Sequence, residues 1–140
     1  MSNSIYLATS DPRSGKSLVS LGIMDLLLRR TTRVGVFRPV IGATAATQKD
    51  KNLELLLDHF DLNLRYEDTY AFVREDALDL IGQGRYDEVL DRIIEKYKAL
   101  ERESDFILII GSDLEGDGIT LEFDFNADVA KNLGSPVLLV

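Results

Sequence analysis

Short unbroken apolar runs alternate along this chain with longer stretches in which apolar residues recur every three or four positions. Ile5-Tyr6-Leu7-Ala8, Arg33-Val34-Gly35-Val36-Phe37, Asp105-Phe106-Ile107-Leu108-Ile109-Ile110 and Pro136-Val137-Leu138-Leu139-Val140 have the length and continuity of strands buried on both faces. Between them the period changes to that of a helix. From about Ser17 to Arg30 the chain is apolar on most of its surface, relieved by Ser20, Asp25, Arg29 and Arg30, and predicts a helix covered on several sides. About Asp50 to Phe60, Leu53, Leu56, Leu57 and Phe60 fall at i, i+3, i+4, i+7 and predict a second helix. Arg74 to Ile81 reads as a short helix closed by Gly82 or Gly84. Arg85 to Glu103 has the clearest periodicity. There Tyr86, Val89, Leu90, Ile93, Ile94, Tyr97 and Leu100 form one stripe, with charges opposite and a Glu88–Arg92 pair at i, i+4. A last helix opens near Phe125-Asn126-Ala127-Asp128, with Asn126 as its N-cap, and ends at Gly134. Two stretches lack a period. Ile41 to Gln48 is rich in Ala and Thr and reads as a loop, and Tyr66 to Phe72 reads as an irregular segment.

Strands that alternate with helices predict an α/β fold with a parallel sheet, its crossovers right-handed. The 140 residues suffice for one domain with a real core, and 45% apolar content excludes a disordered chain. No internal repeat or low-complexity segment occurs. The chain closes on a buried-strand pattern without a cap, which reads as a domain truncated on its C-terminal side. There is no cysteine, hence neither a disulfide framework nor a thiolate metal site. No apolar run is long enough to span a bilayer, and the start lacks a signal-peptide pattern. Together these point to a cytoplasmic protein with no membrane partner. The net charge of −8 argues against nucleic acid as a partner, because a phosphate backbone needs a basic face. A single nucleotide needs only a nest of N–H groups and one or two cations, and it stays open.

The chemistry sits between the first strand and the first helix, in Thr9-Ser10-Asp11-Pro12-Arg13-Ser14-Gly15-Lys16-Ser17. Strand, loop, Gly-Lys-Ser, helix is the layout of a P-loop. Gly15 lets the backbone turn close to a phosphate. The first N–H groups of the helix point at it, Lys16 adds a full charge, and the Ser17 hydroxyl can reach a Mg²⁺. Thr9, Asp11, Arg13 and Ser14 complete the candidate cofactor-binding loop. The pattern is imperfect. Ser10 stands where the first glycine belongs, and Pro12 removes one N–H. Arg38, at the end of the second strand, falls on the same rim of the sheet. It is either a second anion contact or a surface arginine before a proline. The loop Gly111-Ser112-Asp113-Leu114-Glu115-Gly116-Asp117-Gly118 follows the third strand, where a P-loop protein carries its Mg²⁺-organising acid, and Asp113 is the candidate there. Ser17 and Asp113 are thus the candidate metal ligands. His59, the only histidine, has no second ligand nearby in sequence and reads as structural.

Several motifs together carry a family resemblance. They are the N-terminal P-loop, Val36-Phe37-Arg38-Pro39, Gly84-Arg85-Tyr86-Asp87 before a charged helix, Asp105-Phe106, Gly111-Ser112-Asp113, Phe123-Asp124-Phe125-Asn126-Ala127-Asp128 and Asn132 to Val140. Over essentially its whole length the chain resembles the N-terminal domain of long-form phosphate acetyltransferases. That domain is itself similar to dethiobiotin synthetase, a P-loop carboligase. The resemblance implies a P-loop NTPase-like three-layer fold. The strand at 5–8 should be central, flanked by 105–110 and 137–140, with 34–37 outside 105–110. It also implies a single domain over 1–140, with acetyl transfer in a separate C-terminal domain outside this chain. The expected role is regulatory, the sensing of ATP, ADP or another anionic ligand. The expected partners are that ligand, the rest of the parent polypeptide and a second copy of the chain. Three departures weigh against ATP turnover. The family lysine is Arg38, the glutamate before Gly111 is Ile110, and the first loop glycine is absent. An ordered Mg²⁺ is correspondingly doubtful. The alternatives are an ATP-dependent carboligase of the dethiobiotin synthetase type and a P-loop relic that serves assembly only.

Overall fold

The computed structural model describes residues 3–8, 16–42, 49–112, 114 and 119–140, and for 16, 17 and 119–121 it describes the backbone alone. Five strands form one sheet: β1 (Asn3–Ala8), β2 (Val34–Ile41), β3 (Tyr70–Val73), β4 (Phe106–Ile110) and β5 (Val137–Leu139). Their order is β3-β2-β4-β1-β5 and every pairing is parallel. The expected order of the four apolar strands is therefore observed, and the fold is a three-layer α/β sheet. The registers Leu7↔Ile110 and Phe37↔Ile109 bring the carboxyl ends of β1 and β4 level with Arg38, beyond which β2 runs on to Ile41.

Helices α1 (Lys16–Leu28) and α2 (Lys51–His59) cover one face, where Met24, Leu53 and Leu56 pack on Leu7, Val36, Leu108 and Ile110. Helices α3 (Arg74–Gly82), α4 (Tyr86–Glu101) and α5 (Ile119–Leu133) cover the other. There Ala77, Val89, Ile93, Tyr97, Phe125 and Val129 pack on Tyr6, Phe37, Ile107 and Ile109. The period-3.6 stripes of α2 and α4 are thus the stripes that face the sheet. Left-handed backbone at Gly84 and Gly134 ends α3 and α5, a conformation that costs glycine nothing.

The structure departs from the sequence expectations at five places. The segment at 66–72 is ordered: a 3₁₀ turn (Tyr66–Asp68) leads into edge strand β3, which pairs with β2 through Arg38↔Tyr70 and Val40↔Phe72. Four residues that alternate weakly are too few to show a period. The last helix begins at 119, not near 125, so Asn126 lies inside it and cannot cap it. Helix α1 is covered on one side only, with Leu18 75% and Leu26 60% exposed. Strand β5 has the composition of a buried strand, yet Val137, Leu138 and Leu139 are exposed, because it is the sheet's edge and nothing among the described residues packs over it. Glu88 pairs with Arg85 at 2.5 Å, while the Arg92 guanidinium lies 5.1 Å over the Phe72 ring.

A candidate anion site at the sheet's switch point

Chain direction across the sheet decides where a ligand can enter. From β1 the chain crosses outward to β2 and β3 by way of α1 and α2 on one face. It then returns to β4 through α3 and α4 on the other face, and α5 carries it on to β5. Helices leaving β1 and β4, which are neighbours, therefore diverge to opposite faces. That divergence makes a topological switch point at the carboxyl ends of the two strands, the place where open parallel sheets bind ligands.

Lys16 is the first residue of α1 and Ser17 the second, so the helix starts where the motif requires. Thr9, Asp11, Arg13, Ser14, Gly15 and Asp113 lie outside the described residues, as do the side chains of Lys16 and Ser17. Of the candidate site residues, Arg38 is the one whose side chain is described. It is not a surface arginine, being 3% exposed. Its Nη1 donates to Asp50 Oδ2 at 2.6 Å and its Nε donates to the Gly111 carbonyl at 3.3 Å. The Gly111 N–H in turn donates to the Leu7 carbonyl at 2.8 Å. A chain of hydrogen bonds thus runs from Arg38 across β4 to the strand that feeds the P-loop segment.

Asp50 was legible in sequence only as the start of α2. As its N-cap it accepts from the N–H groups of Asn52 and Leu53 through Oδ1, and Oδ2 faces Arg38. The Tyr66 hydroxyl accepts from the Asp50 N–H at 2.7 Å. The cap signal was present in the sequence (Asp ahead of a helical period), but the ion pair to residue 38 needed the fold.

Pro39 shapes β2 beside this pair. Val34, Val36 and Ile41 belong to the α1–α2 core, whereas Phe37 and Val40 both belong to the other, so the alternation of faces slips by one residue at the proline. Proline has no N–H to extend a ladder. Pairing with β4 stops at Phe37, and the Val40 N–H donates instead to Ser112 Oγ at 2.9 Å. Ser112 is held in turn by Asn126: its N–H donates to Asn126 Oδ1 and its carbonyl accepts from Asn126 Nδ2, both at 2.9 Å. Asn126 Nδ2 also reaches the Glu122 carbonyl, and the Tyr6 hydroxyl donates to Asn126 Oδ1. Burial pushes the Tyr6 phenol far above its ordinary value, with the nearby Arg38 charge opposing. The first two residues after β4 are therefore fixed by β1, β2 and α5 together.

Ile110 ends β4 with its side chain fully buried in the α1–α2 core, one residue beyond the Phe37↔Ile109 pair and so level with Arg38. A carboxylate there would have faced the arginine's side of the sheet. The position is spent on packing instead. Among the described residues, no group of three or more His, Cys, Asp or Glu is placed to hold a metal ion.

A topological switch point, a helix that starts at Lys16 and a five-stranded parallel sheet define a P-loop-type α/β domain, and the sequence profile of the AAA domain family matches residues 3–140. The chain belongs to that family. It is 46% identical over 140 residues to the phosphate acetyltransferase of Nitratidesulfovibrio vulgaris and 45% identical to that of Synechocystis sp., matching the N-terminal part of such enzymes. All of this chain is covered in both comparisons, but only 20% of each relative. The ATP-dependent dethiobiotin synthetase of Sulfurovum sp. is 27% identical over 146 residues, which cover 99% of this chain and 68% of that protein.

Proposed function

We propose that this chain is the ligand-sensing domain of a phosphate acetyltransferase, binding a small anion or nucleotide without turning it over. The transfer between acetyl-CoA and phosphate then belongs to another part of the parent protein. The observation that carries this reading is the pairing of two features at one switch point. Helix α1 begins at Lys16 on the rim of β1, and helix N–H groups with an adjacent lysine favour an anion. Ile110, by contrast, fills the core where a metal-organising acid would stand. Phosphoryl transfer rests on an ordered Mg²⁺ and a positioned nucleophile, and the described residues that follow at this end of β4, Gly111 and Ser112, include no acid.

A carboligase of the dethiobiotin synthetase type is the second reading, favoured by the 27% identity to such an enzyme. It calls for a positioned lysine after β2, where this chain has Arg38, paired with Asp50. Calorimetric titration with phosphate, ATP, ADP, acetyl-CoA and NADH, with and without Mg²⁺, separates the readings. Binding without phosphate release is expected. Mg²⁺-dependent release of phosphate from ATP that Asp113→Ala stops would support the ligase instead, and no binding of any of these would support an assembly role. Lys16→Ala should abolish phosphate-dependent thermal stabilisation, and Asp113→Ala should change it less.

A further inference from the structure

On the α4 face, beside edge strand β3, a cavity of about 520 Å³ is lined by Ala71, Arg92, Glu95, Lys96 and Arg102. Three cations thus meet one acid, in a chain whose acidic residues outnumber the basic ones 24 to 16. Among the described residues none of the three is in an ion pair. The acids that could neutralise them are engaged elsewhere. Glu88, one turn before Arg92, pairs with Arg85, and Asp68, on the far side of Lys96, pairs with Arg65. Two of the cations are nonetheless held in place. The Arg92 guanidinium lies over the Phe72 ring, a contact that consumes none of its N–H donors. Lys96 Nζ spends one of its three donors on the Glu67 carbonyl, at 3.0 Å. A second cavity, of about 420 Å³ on the other side of Lys96, contains the Arg65–Asp68 pair and Glu103, and so balances its own charge.

We propose that the cavity between β3 and α4 binds a small anion bearing two or more phosphate or carboxylate groups. Arg92 and Lys96 are one helical turn apart, about 6 Å along the axis. Two charged groups of one ligand can therefore meet both, with Arg102 as a third donor on the same wall. Cations already anchored lose little freedom on binding, which favours a ligand that finds them in place. A planar guanidinium also takes an oxyanion by its edge. The site is distinct from the one at the switch point. Strands β2 and β4 separate β3 from β1, and every described residue that lines the cavity belongs to β3, to α4 or to the C-cap of α4.

Calorimetric titrations of the 140-residue chain with inorganic tripolyphosphate and with citrate test this, in about 0.15 M salt so that diffuse attraction is screened. Lys16→Ala is the background, which sets aside any binding at the P-loop. At least one of the two probes should bind one-to-one, in the millimolar range or tighter. Arg92→Gln, Lys96→Gln and Arg102→Gln should each weaken that binding about tenfold. Lys98→Gln, on the same helix but outside the cavity, should leave it unchanged. No saturable binding of either probe, or an equal loss in Lys98→Gln and Lys96→Gln, overturns the proposal. Amide resonances give a second readout that needs no substitution at the cavity. A saturating probe should move those of Ala71 and Lys96, and unmoved amides overturn the proposal too. Binding of a polyglutamate peptide with no response to either small anion would assign the patch to a protein partner and likewise overturn it.

Discussion

Gly111 is where single atoms decide most. A Cβ at this position would lie 2.9 Å from the Leu7 carbonyl oxygen, a backbone atom that cannot step aside without opening the β1–β4 ladder. Gly111→Ala should cost roughly 2 kcal/mol, in the range of core overpacking, measured by urea unfolding; an unchanged midpoint would show that the ladder yields freely. Asn126 is the second such residue. Removing its amide strands the Tyr6 hydroxyl, the Ser112 N–H and the Ser112 carbonyl at once. Buried groups without partners cost about 1–3 kcal/mol each, so Asn126→Ala should lower stability by several kcal/mol, and by far more than Tyr6→Phe. Near-equal losses in the two variants would mean that water replaces the amide. In sequence Asn126 looked like a cap, because Asn before an apolar period is the usual cap signal. Its role inside α5 depends on Ser112, 14 residues away.

Between elements, α4 and α5 are joined by the Tyr86 hydroxyl, which donates to Asp128 Oδ2 at 2.6 Å, and by the edge contact of the Tyr86 and Phe125 rings. Burial first, then the bond to Asp128, raises the Tyr86 phenol well above its ordinary value. The folded state thus keeps this proton, and that of Tyr6, at pH values where the unfolded chain has lost them. The resulting stability is fully present below the ordinary tyrosine pKa near 10 and is lost as pH rises from there. Thermal midpoints should therefore fall above about pH 10, and Tyr86→Phe should flatten part of that fall; an identical alkaline slope in the variant would remove Tyr86 from the account. At the acid end, Arg33 holds the Asp105 carboxyl below its ordinary value, at the point where the Asp105 N–H also donates to the Arg33 carbonyl. That contribution is present above the ordinary carboxylate pKa and fades as pH falls through the lowered value. Both side chains are exposed, so the effect is small.

Across the whole molecule, the apolar surface is uneven. Leu18 and Leu26 on α1 and Val137, Leu138 and Leu139 on β5 are exposed, and β5 has β1 as its single partner. An open edge of this composition favours pairing with another chain. The 140-residue chain should self-associate as concentration rises, seen as a growing apparent mass in light scattering, and Leu138→Lys should suppress it. A constant monomer mass over a wide concentration range would refute this. The chain spans one fifth of the phosphate acetyltransferases it matches. No helix among the described residues is long and apolar enough to cross a membrane.

Sequence by itself determined the class of fold, the four apolar strands with their order, and the helices α2 and α4 to within a residue or two. The fold class, the strands and the helices rest on local periodicity, so reading them needs no knowledge of distant neighbours, whereas the strand order followed from the resemblance to P-loop relatives. It also placed Lys16 at the start of a helix, since Gly-Lys-Ser after a strand constrains the backbone locally. The tertiary structure alone decided what is non-local. Edge strand β3 forms because β2 offers it a partner, not because four residues have a strong preference of their own. Arg38 is buried because Asp50, twelve residues later, returns over the same face to meet it. Asn126 is a bracket for Ser112 because α5 passes the end of β4. The exposure of β5 has the same origin, since composition can mark a strand as fit for burial while only the arrangement of layers supplies the cover.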